Sequence, residues 1–237
     1  AGIFGAQFFG NKDREGVRHT FRFKLIIVSV ITAAAIALLS AAGAALIRRY
    51  IAADTSAADV EATMSYALDY LHIMLIGLVP FAVTQCYAGT LRESGQTVLP
   101  MRASIAAIVV NFVFNSLLIF GLLGFPRLGV VGAAIATVIS RFVELAIVVY
   151  GAHRTPGRFP FFEGVFRGFR IPWGLAKNIM SKSLPLLCNE LLWSTGQAVL
   201  LQCYSVRGIQ VVAAMNICST VSQIFIEAFL SLGNATA

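Results

Sequence analysis

Charge is what this sequence has least of. Only 12% of its 237 residues are Asp, Glu, Lys or Arg, against roughly a quarter in soluble domains. Too little polar surface is left to cover a water-facing globule, which excludes an ordinary soluble domain. Cysteine is sparse and never closely paired. Cys86, Cys188, Cys203 and Cys218 fall in apolar segments and form no C-x-x-C, so zinc-ribbon and thioredoxin chemistry find no support. They read as small buried hydrophobes. His19, His72 and His153 are scattered and make no H-x-x-x-H metal pair. No Lys/Arg run exceeds Arg48–Arg49 and no aromatic-basic motif accompanies it, so the net charge of +7 does not imply a nucleic-acid partner. The opening AGIFGAQFFG has neither a Met nor the charged start of a signal peptide. It reads as the tail of a helix begun earlier, and the closing SLGNATA stops inside a helical pattern. The expectation is a piece of a longer protein.

Apolar residues are abundant: 58% of the chain, with mean hydropathy +0.80. A membrane-spanning helix needs about 20 mostly apolar residues. By that measure the end of one helix occupies 1–10, and spans follow near 25–47, 66–91, 98–121, 130–151, 185–205 and 210–233. The fold class is therefore all-α, a polytopic transmembrane helical bundle. Pro80, one turn after Gly77, should kink the second span. Small residues in GVVGAAIA (129–136) suit close helix packing.

The basic residues alternate in number from loop to loop. Lys12, Arg14, Arg18, Arg22 and Lys24 precede the first span, Arg92 and Arg102 flank the third loop, and six more lie between 153 and 183. The intervening loops carry only Arg48 and Arg49, Arg127, and Arg207. The positive-inside rule then places 11–24, 92–102 and 153–183 in the cytoplasm of a multi-pass protein, by default in a bacterial inner membrane. The 153–183 stretch opens with HRTPGRFPFFEGVFRGFRIP, where Phe alternates with Arg and Gly. It is expected to be a connector lying against lipid headgroups and dividing two helical bundles, or else a regulatory lipid or partner site.

No metal or nucleophile constellation is visible, and the paired acids, Ser/Lys dyad or His cluster of an intramembrane enzyme are not evident. Function is therefore sought among polar residues at membrane depth, which cost energy there and usually face an interior or cavity. Asn111 and Asn115 share one helix face by their spacing of four. They either bond to neighbouring helices or line a polar cavity. Arg141 and Glu144 are three apart and can pair, with Thr137 just before them. Asp69 reads as interfacial. Glu190, in LPLLCNELLWSTGQ, has no basic residue within six positions. Its partner is a distant residue, a bound cation, a proton, or backbone and Asn189. A carboxylate that alternately holds and releases H⁺ or Na⁺ can couple transport to an ion gradient.

Six stretches, in this order, resemble the MATE family of multidrug and toxic-compound extrusion transporters. They are GAQFFGNKD (5–13), YLHIMLIGLVPF (70–81), LRESGQTVLPMRAS (91–104), NFVFNSLLIFG (111–121), LGVVGAAIATVISR (128–141) and VAAMNI (212–217). The resemblance implies a twelve-helix antiporter of two six-helix lobes that exports cationic, amphipathic drugs or metabolites against Na⁺ or H⁺ by alternating access. On that reading 1–152 runs from the end of the second helix to the sixth in the amino-terminal lobe. Residues 153–184 are the cytoplasmic connector between lobes, and 185–237 the seventh and eighth helices. Asn111 and Asn115 match the polar pair of the fifth helix. Asn115 stands where many proton-coupled relatives have Asp, which favours Na⁺. Thr137 and Tyr70 look like further members of that cavity, and Asn189 and Gln197 are placed with them as substrate-cavity residues. Glu190 looks like the seventh-helix glutamate of the carboxy-terminal lobe, and is the expected coupling site for Na⁺ or a proton. No cofactor beyond the coupling ion and no other metal is expected. The implied partners are small-molecule substrates and the bilayer, with a monomer as the expected state. A related flippase for lipid-linked oligosaccharides is the alternative, but would want cationic groups in its central cavity, where Arg141 is the only deep arginine.

Overall fold

The computed structural model describes residues 1–49, 51, 57–154, 157, 159–168 and 171–236. Among them every regular element is helical: α1 (Gly2–Gly10), α2 (Arg14–Arg48), α3 (Ala57–Glu93), α4 (Val98–Phe120), α5 (Gly129–His153), α6 (Trp173–Ser205) and α7 (Ile209–Thr236). Single 3-10 turns stand at Leu122–Gly124 and Val165–Arg167. Five helices, α2 to α5 and α7, are long and apolar enough to cross a membrane. α6 is long enough, but Asn189, Glu190, Gln197 and Gln202 dilute its apolar stretch, and it falls short of that standard.

Several helices begin earlier than hydropathy indicates, and at α2 a side-chain cap sets the start. The backbone N–H of Gly16 donates to Asp13 Oδ1 at 2.9 Å, so Asp13 caps α2 and Arg14 is already helical. The basic stretch expected as a loop over 11–24 is thus a turn at 11–13 followed by the first turns of α2. Likewise α6 starts at Trp173, twelve residues before the expected span, and contains Pro185. The α3 helix continues through Pro80. It ends at Glu93, where Gly95 adopts φ +72°, the left-handed region that glycine enters without steric cost, and Gln96 N–H returns to Leu91 O at 2.8 Å.

The described residues group into two compact units, Ala1–Ala44 with Ser65–Leu186, and Ala45–Met64 with Leu187–Ala237. In the first, the core lies at one end of the helices. Val17 and Phe21 from α2, Cys86, Tyr87 and Leu91 from α3, and Val148 and Ala152 from α5 enclose Phe159, Phe161, Phe162 and Val165 of the connector. Phe162 is 1% exposed and packs edge-on to Phe21, with ring centroids 5.0 Å apart. Burying one such ring contributes about 1.5–3 kcal/mol. Arg22 fixes the backbone of this segment, donating from Nε to Val165 O at 2.8 Å and from Nη2 to Gly164 O at 2.9 Å. The connector was expected to rest on lipid headgroups. Its Phe-rich half instead closes the end of the first unit, because three rings with no charge between them fill the space between helix ends better than they anchor in an interface. Arg158 and Arg170, counted in the charge pattern, lie outside the described residues.

In the second unit α7 presents Ile217, Ile224 and Phe229 at its surface. Of the four cysteines only Cys86 is buried; Cys188 and Cys203 on α6 and Cys218 on α7 are exposed. The expectation of four buried thiols thus holds at one position, the one inside the first unit's core.

Candidate functional site

The site is built by α4 and α5. The two are joined by a turn in which Gly121 takes φ +71° and Leu128 N–H donates to Leu118 O at 2.9 Å. They then run antiparallel, and small residues on α5 set the spacing. A Cβ on Gly132 would lie 2.7 Å from Leu118 O, and one on Gly151 would press on the Leu99 side chain. Between these two close approaches lie two polar rungs. Ser104 Oγ donates to Glu144 Oε1 at 2.9 Å, and Asn111 Nδ2 reaches Thr137 Oγ1 at 3.4 Å.

Asn111 lies about 3 Å along the axis from the middle of the 23-residue α4, so this rung is near membrane mid-depth. Asn115 Nδ2 donates to Asn111 Oδ1 at 2.9 Å, one helical turn away. Asn111 therefore accepts from Asn115 and donates to Thr137, whose own hydroxyl donates to Ala133 O at 2.9 Å. The chain of bonds leaves one atom over. Asn115 Oδ1 is buried and has no hydrogen-bond partner among the described residues. A buried carbonyl oxygen in this state can accept from a ligand N–H or O–H, or ligate a small hard cation.

One turn or two further along α5, Arg141 and Glu144 form the expected ion pair at 3.5 Å. The Arg141 guanidinium also lies 4.5 Å from the centroid of the Phe81 ring on α3, in cation–π geometry. Gln85, Ser104, Asn111, Thr137, Arg141 and Glu144 line a cavity of about 410 Å³. Gln85 and Ser104 are members of this group that sequence reading did not single out. A signal for Arg141 and Glu144 was present, since they follow Thr137 by four and seven residues and so share its helix face. Ser104 likewise precedes Asn111 by seven residues on α4, whereas no such spacing marks Gln85, which enters from α3.

Thus hydrogen bonds join Asn115, Asn111 and Thr137, of which Asn111 and Thr137 line the cavity and Asn115 does not. Tyr70, 38% exposed on α3, is not among the lining residues. Asn189, Glu190 and Gln197 lie on the part of α6 that belongs to the second unit, and all three are exposed. The Glu190 side chain has no hydrogen bond or ion pair with another described residue. Among the described residues no three His, Cys, Asp or Glu side chains group so as to hold a metal ion.

The comparisons agree with this architecture. A family model described as MatE matches residues 1–117. A protein of Thermotoga maritima described as probable multidrug resistance protein NorM is 30% identical over 168 residues, 70% of this chain and 35% of that protein. The protein of the same description from Geobacillus kaustophilus is 28% identical over 161 residues, 68% of this chain and 34% of its own length. The chain therefore spans about a third of the length of these curated relatives. Among solved structures, an inward-facing multidrug resistance MATE family transporter of the MOP superfamily superposes with a TM-score of 0.67 at 21% identity. That alignment covers 86% of this chain and 42% of the other. Helices of these lengths and this likeness make the chain a multi-pass membrane protein.

Proposed function

The chain belongs, through residues 1–117, to the MatE family, and on that premise we propose that it forms part of a secondary active multidrug exporter. The family is one of transporters, and the relatives' names describe multidrug resistance. The proposed cargo is a cationic, amphipathic compound, exchanged for Na⁺ or H⁺ by alternating access of two six-helix lobes. Residues 1–152 would lie in the first lobe, 153–184 would link the lobes, and 185–237 would begin the second. The basic ends at 11–24, 92–102 and 153–183 would face the cytoplasm.

The observation that carries this reading is the Asn115–Asn111–Thr137 chain with its unpartnered Asn115 Oδ1 at membrane depth. Polar groups so placed are costly in a purely structural bundle. Here they line or adjoin a cavity that also holds a neutralised charge pair. Arg141 and Glu144 satisfy each other, so the cavity as a whole carries little net charge and offers neutral oxygens. Neutral oxygens suit the ammonium groups of amphipathic cations and weakly held Na⁺, which must be released again. A cavity meant for pyrophosphate would need unpaired positive charge, and its one arginine is paired. Glu190 is proposed as the ion-coupling carboxylate of the second lobe, with Asn189 and Gln197 beside it on α6.

Efflux of a fluorescent cationic dye from cells expressing the complete protein tests this reading. Collapse of the Na⁺ gradient and of the H⁺ gradient, in turn, should abolish efflux in one case. Efflux indifferent to both would remove the antiport proposal.

A further inference from the structure

At the charged end of α2, three guanidinium groups converge on a pocket that lacks matching carboxylates. Arg18 and Arg22 stand one turn apart on α2, and Arg167 belongs to the 3-10 turn of the connector. With His19, Glu163 and Gly164 they line a cavity of about 550 Å³ within the first unit. Like charges four residues apart destabilise a helix, so this spacing needs a compensating group.

Glu15, one turn before Arg18, acts on Arg22 through space, but among the described residues no carboxylate forms an ion pair with these arginines. Arg22 is only 8% exposed, and its two bonds go to the carbonyls of Val165 and Gly164, which hold the guanidinium in place without neutralising it. Arg18 Nε and His19 Nδ1 are buried and have no hydrogen-bond partner among the described residues. Glu163 is the single carboxylate lining the cavity, and its Oε1 accepts from Gly157 N–H at 2.7 Å rather than pairing with an arginine. Among the described residues the ion pairs are Lys24–Glu93 and Arg141–Glu144, and neither involves these arginines. Arg22 is thus buried and fixed, Arg18 is half-buried with a donor to spare, and Arg167 is exposed at the rim. Guanidiniums with free donors bind phosphate because their planar forks match its oxygens.

The depth narrows the source. The apolar run of α2 starts at Leu25, so Arg22 and Arg18 sit about 5 and 10 Å outside it along the axis. The headgroup layer is about 5–7.5 Å deep on each side, so the Arg22 backbone lies within it and Arg18 just beyond, within reach through its side chain. Basic pockets between helices at this level bind anionic headgroups. We propose that the pocket formed by Arg18, Arg22 and Arg167 binds a phosphate-bearing anion, the headgroup of an anionic phospholipid. The bound phosphate would bridge α2 to the connector and so hold the Phe159–Val165 plug against the helix ends. This site is separate from the α4–α5 cavity and does not depend on what that cavity transports.

The test is thermal unfolding of the complete detergent-solubilised protein, titrated with phosphatidylglycerol, with phosphatidylcholine, and with inorganic phosphate in separate arms. Arg22 is left intact because its loss would release the connector. Phosphatidylglycerol should raise the unfolding temperature more than phosphatidylcholine does, and R18Q/R167Q should lose at least half of that difference. R102Q, which removes one charge from α4 outside this pocket, should keep it. An equal shift with inorganic phosphate alone, lost in R18Q/R167Q, supports the anion site and assigns it to free phosphate. Equal responses to the two lipids with none to phosphate, a full response in R18Q/R167Q, or an equal loss in R102Q would overturn the proposal.

Discussion

The Lys24 ammonium on α2 lies 2.6 Å from Glu93 Oε1 at the end of α3, and 3.1 Å from Thr90 Oγ1 on the same helix. The two charged side chains are 12% and 19% exposed, so the pair is largely withdrawn from water. Removing one partner of a buried pair strands the other charge, whereas removing both can be nearly neutral. K24M or E93M should each destabilise the protein by about 3 kcal/mol. K24M/E93M should recover much of that loss. Thermal unfolding of the three variants in one detergent checks it, and additive losses would show that the pair is only a surface contact.

Gly132 and Gly151 separate two kinds of close packing on α5. A Cβ at Gly132 would meet the Leu118 carbonyl, which cannot move without displacing α4, while one at Gly151 would meet the flexible Leu99 side chain. G132A should therefore cost about 1–3 kcal/mol, and G151A distinctly less. The order of the two unfolding temperatures is the readout.

The connector plug should control access to Cys86, the one buried thiol. Phe162→Ala removes a ring 1% exposed at the centre of the cluster and should cost about 3–5 kcal/mol. In a background where Cys188, Cys203 and Cys218 are serine, Cys86 should react slowly with a maleimide. The rate should rise in F162A. Equal rates would mean that the plug does not shield α3.

Asn111 holds the polar chain together, since it both accepts from Asn115 and donates to Thr137. N111A leaves the Asn115 amide without its acceptor, at a cost of about 1–3 kcal/mol. Transport should suffer with stability only modestly changed, and N115A should lower dye affinity as well. Wild-type efflux in both variants would take the site away from this rung.

Much of this was legible in the sequence because lipid imposes a length rule and a loop-charge rule. The helices α2 to α5 and α7 follow from apolar runs, and the i,i+4 spacing of Asn111 and Asn115 correctly placed them on one face. Other features were hidden for identifiable reasons. The start of α2 at Arg14 depends on one side-chain cap by Asp13, which hydropathy does not register. The burial of Phe159 to Val165 depends on a hydrogen-bond pair from Arg22, more than 140 residues earlier in the chain. Ser104 faces α5 through the antiparallel register that Gly132 and Gly151 set, and Gln85 enters the cavity from α3. Glu190 was legible as an isolated acid, and its exposed place on α6 adds no partner to that description.

Ion coupling at Glu190 is tested most directly in proteoliposomes containing the complete protein. Dye movement is followed under an imposed Na⁺ gradient, then under an imposed H⁺ gradient, for wild type and for E190Q. One gradient should drive uptake in the wild type, Na⁺ being favoured by Asn115. E190Q should lose about tenfold in initial rate, or about 1.4 kcal/mol of transition-state stabilisation. Gradient-driven transport by E190Q at the wild-type rate would contradict coupling at Glu190.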